Sequence, residues 1–154
     1  MDKLWAPWRI KYLKAAKLKG CIFCRAKKEP VKNFCILKSR HSMAILNIFP
    51  YNNGHVMVSP LKHVKDFSGL KDAQLLDLLK TVQRVKRGLS KALKPHGFNI
   101  GVNLGSQAGA GITGHLHIHI VPRWRQDTNF MPAIYNTKII SQSLAELYKR
   151  LKRC

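Results

Sequence analysis

From His115 to Ile120 the chain alternates histidine with an aliphatic residue, His115-Leu116-His117-Ile118-His119-Ile120, and runs on into Val121-Pro122-Arg123-Trp124. An apolar period of two is the pattern of a half-buried β-strand. Successive strand side chains point to opposite faces, so Leu116, Ile118 and Ile120 are expected on the core side. His115, His117 and His119 then form a row on the other face, about 6.5–7 Å apart. A single histidine on a strand is an ordinary polar residue. Three on one line of a rigid element make a preorganised set of nucleophiles, proton carriers or metal ligands.

The rest of the chain divides by its hydrophobic period. Phe34–Lys38 and Ser42–Asn47 read as two strands around a Ser39-Arg40 turn, and His55–Ser59 as a third strand stopped by Pro60. Pro50-Tyr-Asn-Asn-Gly54 between them is a loop. From Ser68 the period becomes helical: Leu70, Leu75, Leu76, Leu78, Leu79, Val82, Val85, Leu89 and Leu93 form one stripe. Ser68 suits the N-cap of this helix and Pro95-His96-Gly97 ends it, with His96 structural. Phe98–Leu104 alternates again as a fourth strand, and a glycine-rich loop, Gly105–Gly114, leads into the histidine strand. Backbone N–H groups in such a loop can approach phosphate oxygens closely. Residues 139–153, with Leu144, Leu147, Tyr148 and Leu151, suit a C-terminal helix, and residues 1–20 a basic extension in which Trp5 and Trp8 anchor a short helix to the body. The expected architecture is α+β: an antiparallel sheet of about five strands with one long helix packed on it, in a single domain of 154 residues.

Charge narrows the chemistry. The chain carries 28 Lys+Arg against 7 Asp+Glu, a formal net charge of +21, which favours polyanionic partners such as nucleotides or nucleic acid. So few carboxylates disfavour a paired-carboxylate site or an acidic two-metal site. No stretch approaches a membrane span and no apolar signal run opens the chain, so no membrane partner and a cytoplasmic location are expected. Cys21-Ile-Phe-Cys24 is either a redox pair or half of a metal site, and its surroundings read as a loop. A zinc site needs two further ligands, for which His63 and His115 are candidates. Cys35 and Cys154 have no obvious partners and are expected to be reduced.

The segment His115-Leu-His117-Ile-His119-Ile-Val resembles the signature of the histidine triad (HIT) superfamily, a histidine–apolar alternation ending in two apolar residues. The blocks Trp5-Ala-Pro-Trp8-Arg9, Asn53-Gly-His55-Val-Met-Val, Asn99-Ile-Gly-Val-Asn103-Leu-Gly, Pro122-Arg-Trp124 and Asp127-Thr-Asn129-Phe-Met-Pro132 are similar to the bacterial diadenosine tetraphosphate phosphorylase branch. The resemblance implies His117 as a nucleophile at phosphorus, with His119 contacting the same phosphate, His55 against the triad and Asn47 at the nucleotide. It further implies a structural zinc held by Cys21, Cys24, His63 and His115, and a homodimer or larger assembly.

The reaction so implied is double displacement through a nucleotidyl-histidine. Orthophosphate as the second acceptor makes a phosphorylase, giving ATP and ADP from diadenosine tetraphosphate; water makes a hydrolase of dinucleoside polyphosphates or nucleoside phosphoramidates. Where many HIT hydrolases carry Gly-Gln-Ser/Thr-Val, this chain has Ala108-Gly-Ala-Gly-Ile-Thr-Gly114, so Gly111 and Ile112 offer only backbone to a substrate. That favours the phosphorylase-like branch. Asn103 is a candidate phosphate contact. A reading from another class is a zinc-stabilised module that binds nucleic acid through its basic surface, which would not need an ordered row of histidines.

Overall fold

A computed structural model describes residues 20–125, 127 and 142–153. The expectations for Trp5, Trp8, Asn129, Cys154 and the start of the C-terminal helix lie outside these residues. Five strands form one sheet: β1 (Cys35–Lys38), β2 (Ser42–Leu46), β3 (Val56–Pro60), β4 (Gly97–Gly101) and β5 (Ile118–Arg123). Their spatial order is β1-β2-β3-β5-β4, and every neighbouring pair is antiparallel. Among the described residues three α-helices accompany them: α1 (Ile22–Lys28), α2 (Asp72–Leu93) and α3 (Leu144–Lys152). The α+β fold expected from the sequence is the one observed.

Both faces of the sheet are covered. On one, α2 lays Leu78, Val82, Val85, Leu89 and Ala92 against Ala44, Val56, Val58, Leu116, Ile118 and Ile120, and α3 adds Leu147 and Leu151. Each such aliphatic side chain contributes about 1.5–3 kcal/mol on full burial. On the other face Phe23 and Ala26 of α1 pack on Cys35, Met43, Ile45 and Met57. Two of the three histidines are therefore shut off from water: His115 and His117 are buried beneath this second layer, while His119 is half-buried.

Several boundaries differ from those read in the sequence. Cys21-Ile-Phe-Cys24 is not a loop but the opening of α1, with Cys21 at the N-cap. Burial of Phe23 and Ala26, three positions apart on one helical face, holds this short helix where propensity alone would not. Ser68 does not cap α2. Its backbone N–H and hydroxyl both turn to Asp66, closing a 3-10 turn over Phe67–Gly69. The N-cap is Lys71, whose N–H donates to the Gln74 side chain at 3.0 Å. The helix ends at Lys94 in a left-handed conformation with φ 49°.

Leu76 and Leu79 belong to the sequence stripe yet stand 55% and 56% exposed, so the buried face is narrower than the stripe. Strand β1 starts at Cys35 because Phe34 takes a positive φ of 51°. Strand β4 stops at Gly101, its last pairing being with His119. Regular pairing of β5 begins only at Ile118. Before it, the Leu116 N–H donates to the Val64 carbonyl at 2.6 Å rather than to a strand neighbour.

Candidate active site and metal site

The alternation survives where the ladder does not. Leu116, Ile118 and Ile120 enter the helix-side core, and the three histidines turn to the α1 side. Phe23 packs beneath two of them, its ring centroid 5.0 Å from that of His115 and 5.1 Å from that of His117. His119 meets His117 edge-on at 4.8 Å, and His55 lies 5.1 Å from His119. His55, His117 and His119 are thus one cluster.

Hydrogen bonds fix the tautomer of each ring, because backbone N–H groups only donate and carbonyls only accept. His117 Nδ1–H donates to the His115 carbonyl at 2.8 Å, which leaves Nε2 with its lone pair. His55 Nδ1 accepts from the Tyr51 N–H at 3.1 Å and from the Asn47 side-chain amide at 3.2 Å. The orientation of that amide is set in turn by the Phe49 N–H, which donates to Asn47 Oδ1 at 2.9 Å. The His55 proton therefore resides on Nε2, and it is donated to His119 Nδ1 at 2.9 Å. With Nδ1 accepting, His119 carries its own proton on Nε2. Among the described residues the His117 Nε2 lone pair and the neighbouring His119 Nε2–H are both uncommitted.

Burial keeps these rings neutral. Desolvation, followed by the neighbouring His119 and His117, pushes the His55 pKa down to about 3. Desolvation, followed by His117, pushes that of His119 down to about 4. Burial also lowers His117, opposed by its hydrogen bond to the His115 carbonyl.

Not every sequence candidate converges on this cluster. Asn47 does, through His55. No hydrogen bond joins Asn103, Gly111 or Ile112 to the histidines among the described residues. Asn103 is half-buried near Gly109, Gly111 is exposed, and Ile112 packs against the second core layer. His96 is structural as expected, accepting the Arg125 N–H at 2.9 Å.

Three contributors escaped the sequence reading. Tyr51, 56% exposed, places its ring 4.6 Å from His55 and stacks 5.7 Å from His119. Phe23 lies between the cysteines of the Cys-x-x-Cys motif, where nothing in the pattern signals a packing role. Asp127 accepts Arg123 through both carboxylate oxygens at 2.6 and 2.8 Å and Asn52 at 2.8 Å, bracing the loop that carries Tyr51 and His55.

A second cluster joins α1 to the same segment. The ligand atoms of Cys21, Cys24, His63 and His115 all lie within 4.8 Å of one another, so the group could hold a metal ion. Cys21 Sγ is 3.2 Å and Cys24 Sγ 3.9 Å from His115 Nδ1, which is 3.1 Å from His63 Nδ1, and Cys24 Sγ is 3.3 Å from His63 Nδ1. A tetrahedral ion with metal–sulfur bonds near 2.3 Å and metal–nitrogen bonds near 2.0–2.1 Å requires ligand separations of roughly 3.3–3.8 Å. The donor set suits such an ion; four of the separations, 3.1–3.9 Å, lie close to that range, and the widest, up to 4.8 Å, would contract on binding. His115 Nε2–H donates to the Pro60 carbonyl at 2.9 Å, which turns the Nδ1 lone pair toward the cysteines. Cys21, Cys24 and Cys35 are free thiols.

Comparison with known proteins follows this geometry. A family model described as the HIT domain matches residues 28–126. The AP-4-A phosphorylase of Mycobacterium tuberculosis is 34% identical, over 98% of this chain and 83% of its own length. The asymmetrical bis(5'-nucleosyl)-tetraphosphatase of Schizosaccharomyces pombe is 31% identical, over 79% of this chain and 66% of its own length. Among solved structures, a hypothetical histidine triad nucleotide-binding protein from Sulfolobus tokodaii superposes with a TM-score of 0.72 at 28% identity, covering 86% of this chain and 90% of its own.

Proposed function

Because this chain belongs to the HIT family and is a nucleotide-processing enzyme of that type, we propose that it carries out the phosphorolysis of diadenosine tetraphosphate to ATP and ADP. The observation that carries the reading is the pairing of a free lone pair on His117 with a donor N–H on His119, both set by hydrogen bonds. In the first step His117 Nε2 attacks an α-phosphorus. A P–N bond forms, the P–O bond to the rest of the polyphosphate breaks, and ATP leaves as an anion. His119 Nε2–H donates to the phosphoryl oxygens as charge develops on them. Asn47 and Tyr51 hold the relay through His55 that keeps that proton on Nε2. In the second step an orthophosphate oxygen attacks the same phosphorus, the P–N bond breaks and ADP is released. Backbone N–H groups around Gly111 and Ile112, with Asn103, contact the phosphates once substrate is seated.

The metal in this reading is zinc, held by Cys21, Cys24, His63 and His115; a closed four-ligand site supplies stability and no open coordination position for chemistry. Thiolate ligands and a nucleotide substrate suit the reducing cytoplasm. The partner in assembly is a second copy of the chain, joined along β4. That strand is an edge of the sheet with Ile100 46% exposed, and an unpaired edge is a template for pairing. Ile100→Lys shifting the sedimentation of the protein to that of a monomer tests this assembly.

The deciding experiment incubates the protein with diadenosine tetraphosphate, with and without orthophosphate, and separates the products. ADP and ATP formed only with phosphate support the phosphorylase. AMP and ATP formed regardless would make it a hydrolase, the second reading, which the similarity to a tetraphosphatase favours. No turnover by the folded, metal-loaded protein would sink both.

A further inference from the structure

The reaction proposed for the histidines leaves a second binding feature without a role. On the opposite face of the sheet, α2, α3 and β1 border a half-open pocket of about 410 Å³. Arg84, Arg87, Lys91 and Lys152 rim it. Arg84, Arg87 and Lys91 follow one another at helical spacings of three and four, and Lys80 continues the row one turn earlier. At a rise of about 1.5 Å per residue this row extends roughly 16 Å. No carboxylate neutralises it: among the described residues the ion pairs are Lys32–Glu29 and Arg123–Asp127. The floor is apolar, with Ile36, Val85 and Leu151.

Gly88 adds an independent pointer. It sits inside α2 on the cavity wall, where a glycine costs about 1 kcal/mol of helix stability relative to alanine. A Cβ there would meet no atom within 4 Å, so packing does not require the glycine. What its lack of a side chain does is leave that part of the wall as bare backbone, where anything longer than a methyl group would project into the pocket.

We infer that this groove binds single-stranded nucleic acid. The row of cations follows the phosphodiester backbone, while the aliphatic floor and the planar guanidinium groups of Arg84 and Arg87 at its rim take an unstacked base, a combination that a duplex, with its bases enclosed, does not satisfy. Groove and histidines lie on opposite sides of the sheet. Val85 and Leu151 belong to the helix-side core, whereas His119 pairs across the ladder with Met57 of the other layer. Strand binding is thus a separate activity, and it gives part of the +21 charge a use that a small nucleotide substrate does not.

The test is fluorescence anisotropy of labelled oligothymidylate and oligouridylate over a range of salt, with the full-length, metal-loaded protein. The variant Arg84→Gln/Arg87→Gln/Lys91→Gln changes only exposed side chains. It should bind at least about tenfold more weakly, and its log–log salt slope should flatten by about 2, three lost phosphate contacts at ~0.7 each. Gly88→Glu, a better helix former that fills and repels, should weaken binding while raising helix stability. A control with the same charge loss elsewhere, Arg40→Gln/Lys65→Gln/Lys71→Gln, should stay within about threefold of the parent. Nucleotide turnover should be unchanged in all three variants. Binding of either oligomer by the parent that the groove variant loses supports the assignment. Equal losses in groove and control variants, or parent-like binding by the groove variant, would overturn the assignment. A parallel loss of turnover in the groove variant would overturn the separation of the two sites. The binding readout stands whether or not the proposed reaction does.

Discussion

Replacing His55 tests the tautomer relay most directly. His55 is 1% exposed and its ring makes three hydrogen bonds, from the Tyr51 N–H, from the Asn47 amide and to His119 Nδ1. In His55→Phe the ring volume is kept and all three bonds are lost. The orphaned polar groups cost about 1–3 kcal/mol of stability, a fall of roughly 2–4 °C in Tm for each kcal/mol in a chain of this size. The effect on turnover has a different origin. Without a donor at Nδ1, the His119 ring is no longer held with its proton on Nε2, and the donor to the developing phosphoryl charge is lost. Removing one such preorganised donor costs on the order of a hundredfold in rate, about 2.7 kcal/mol. His55→Gln keeps an amide N–H that can reach His119 Nδ1 and should stay within about tenfold of the parent, since one hydrogen bond is worth roughly 0.5–1.5 kcal/mol net. The assay is kcat/KM for diadenosine tetraphosphate at neutral pH, alongside thermal unfolding. A folded His55→Phe protein with parental turnover, or a glutamine variant as impaired as the phenylalanine one, would refute the relay.

Other consequences can be measured with the same protein. His117→Ala should keep its fold and lose turnover by at least about a thousandfold; parental turnover in that variant would remove the nucleophile from His117. Because His55 and His119 stay neutral in the fold down to about pH 3 and 4, the unfolded chain binds more protons from pH 6.5 downward, so unfolding free energy should fall as pH drops from 6.5 toward 4, by up to ~1.4 kcal/mol per pH unit for each ring. Urea midpoints that rise on acidification across that window would contradict this sign. Chelation should lower Tm and release one zinc per chain, and Cys24→Ser should reproduce the loss. A chelated protein that melts at the parental temperature would show that the four-residue cluster does not support the fold. Phe23→Ala should cost about 3–5 kcal/mol by denaturant titration, as expected for a fully buried ring, and a loss under 1 kcal/mol would mean the α1 layer is not anchored there.

What could be read from the sequence was whatever depended on period. The alternation from His115 to Ile120 foretold which side chains enter the core, even though His115 and Leu116 precede the regular ladder. The stripe of α2 foretold a helix on the sheet, whereas the gathering of Cys21, Cys24, His63 and His115 was implied by the family resemblance and not by any period. Features set by competition between local partners were not legible. Ser68 had a good N-cap sequence, but Asp66 two residues earlier captures both of its donors. The helix at Cys21 depends on a tertiary surface that receives Phe23 and Ala26. The brace from Asn52 and Arg123 to Asp127 joins residues 75 and 4 positions apart, without any pattern to connect them.

A single residue separates His115, in the metal cluster, from His117, whose ring leans on the His115 carbonyl. Both belong to a segment pinned from outside, at Pro60 through the His115 ring and at Val64 through the Leu116 N–H. Inserting or deleting one residue here would exchange the two faces of the strand, sending leucine and isoleucine into the histidine row and imidazoles into the core. This stretch can therefore diverge by substitution but not by change of length. A change of length would be tolerated instead in the loop from Gly105 to Gly114, which leads into the histidines without sharing their register.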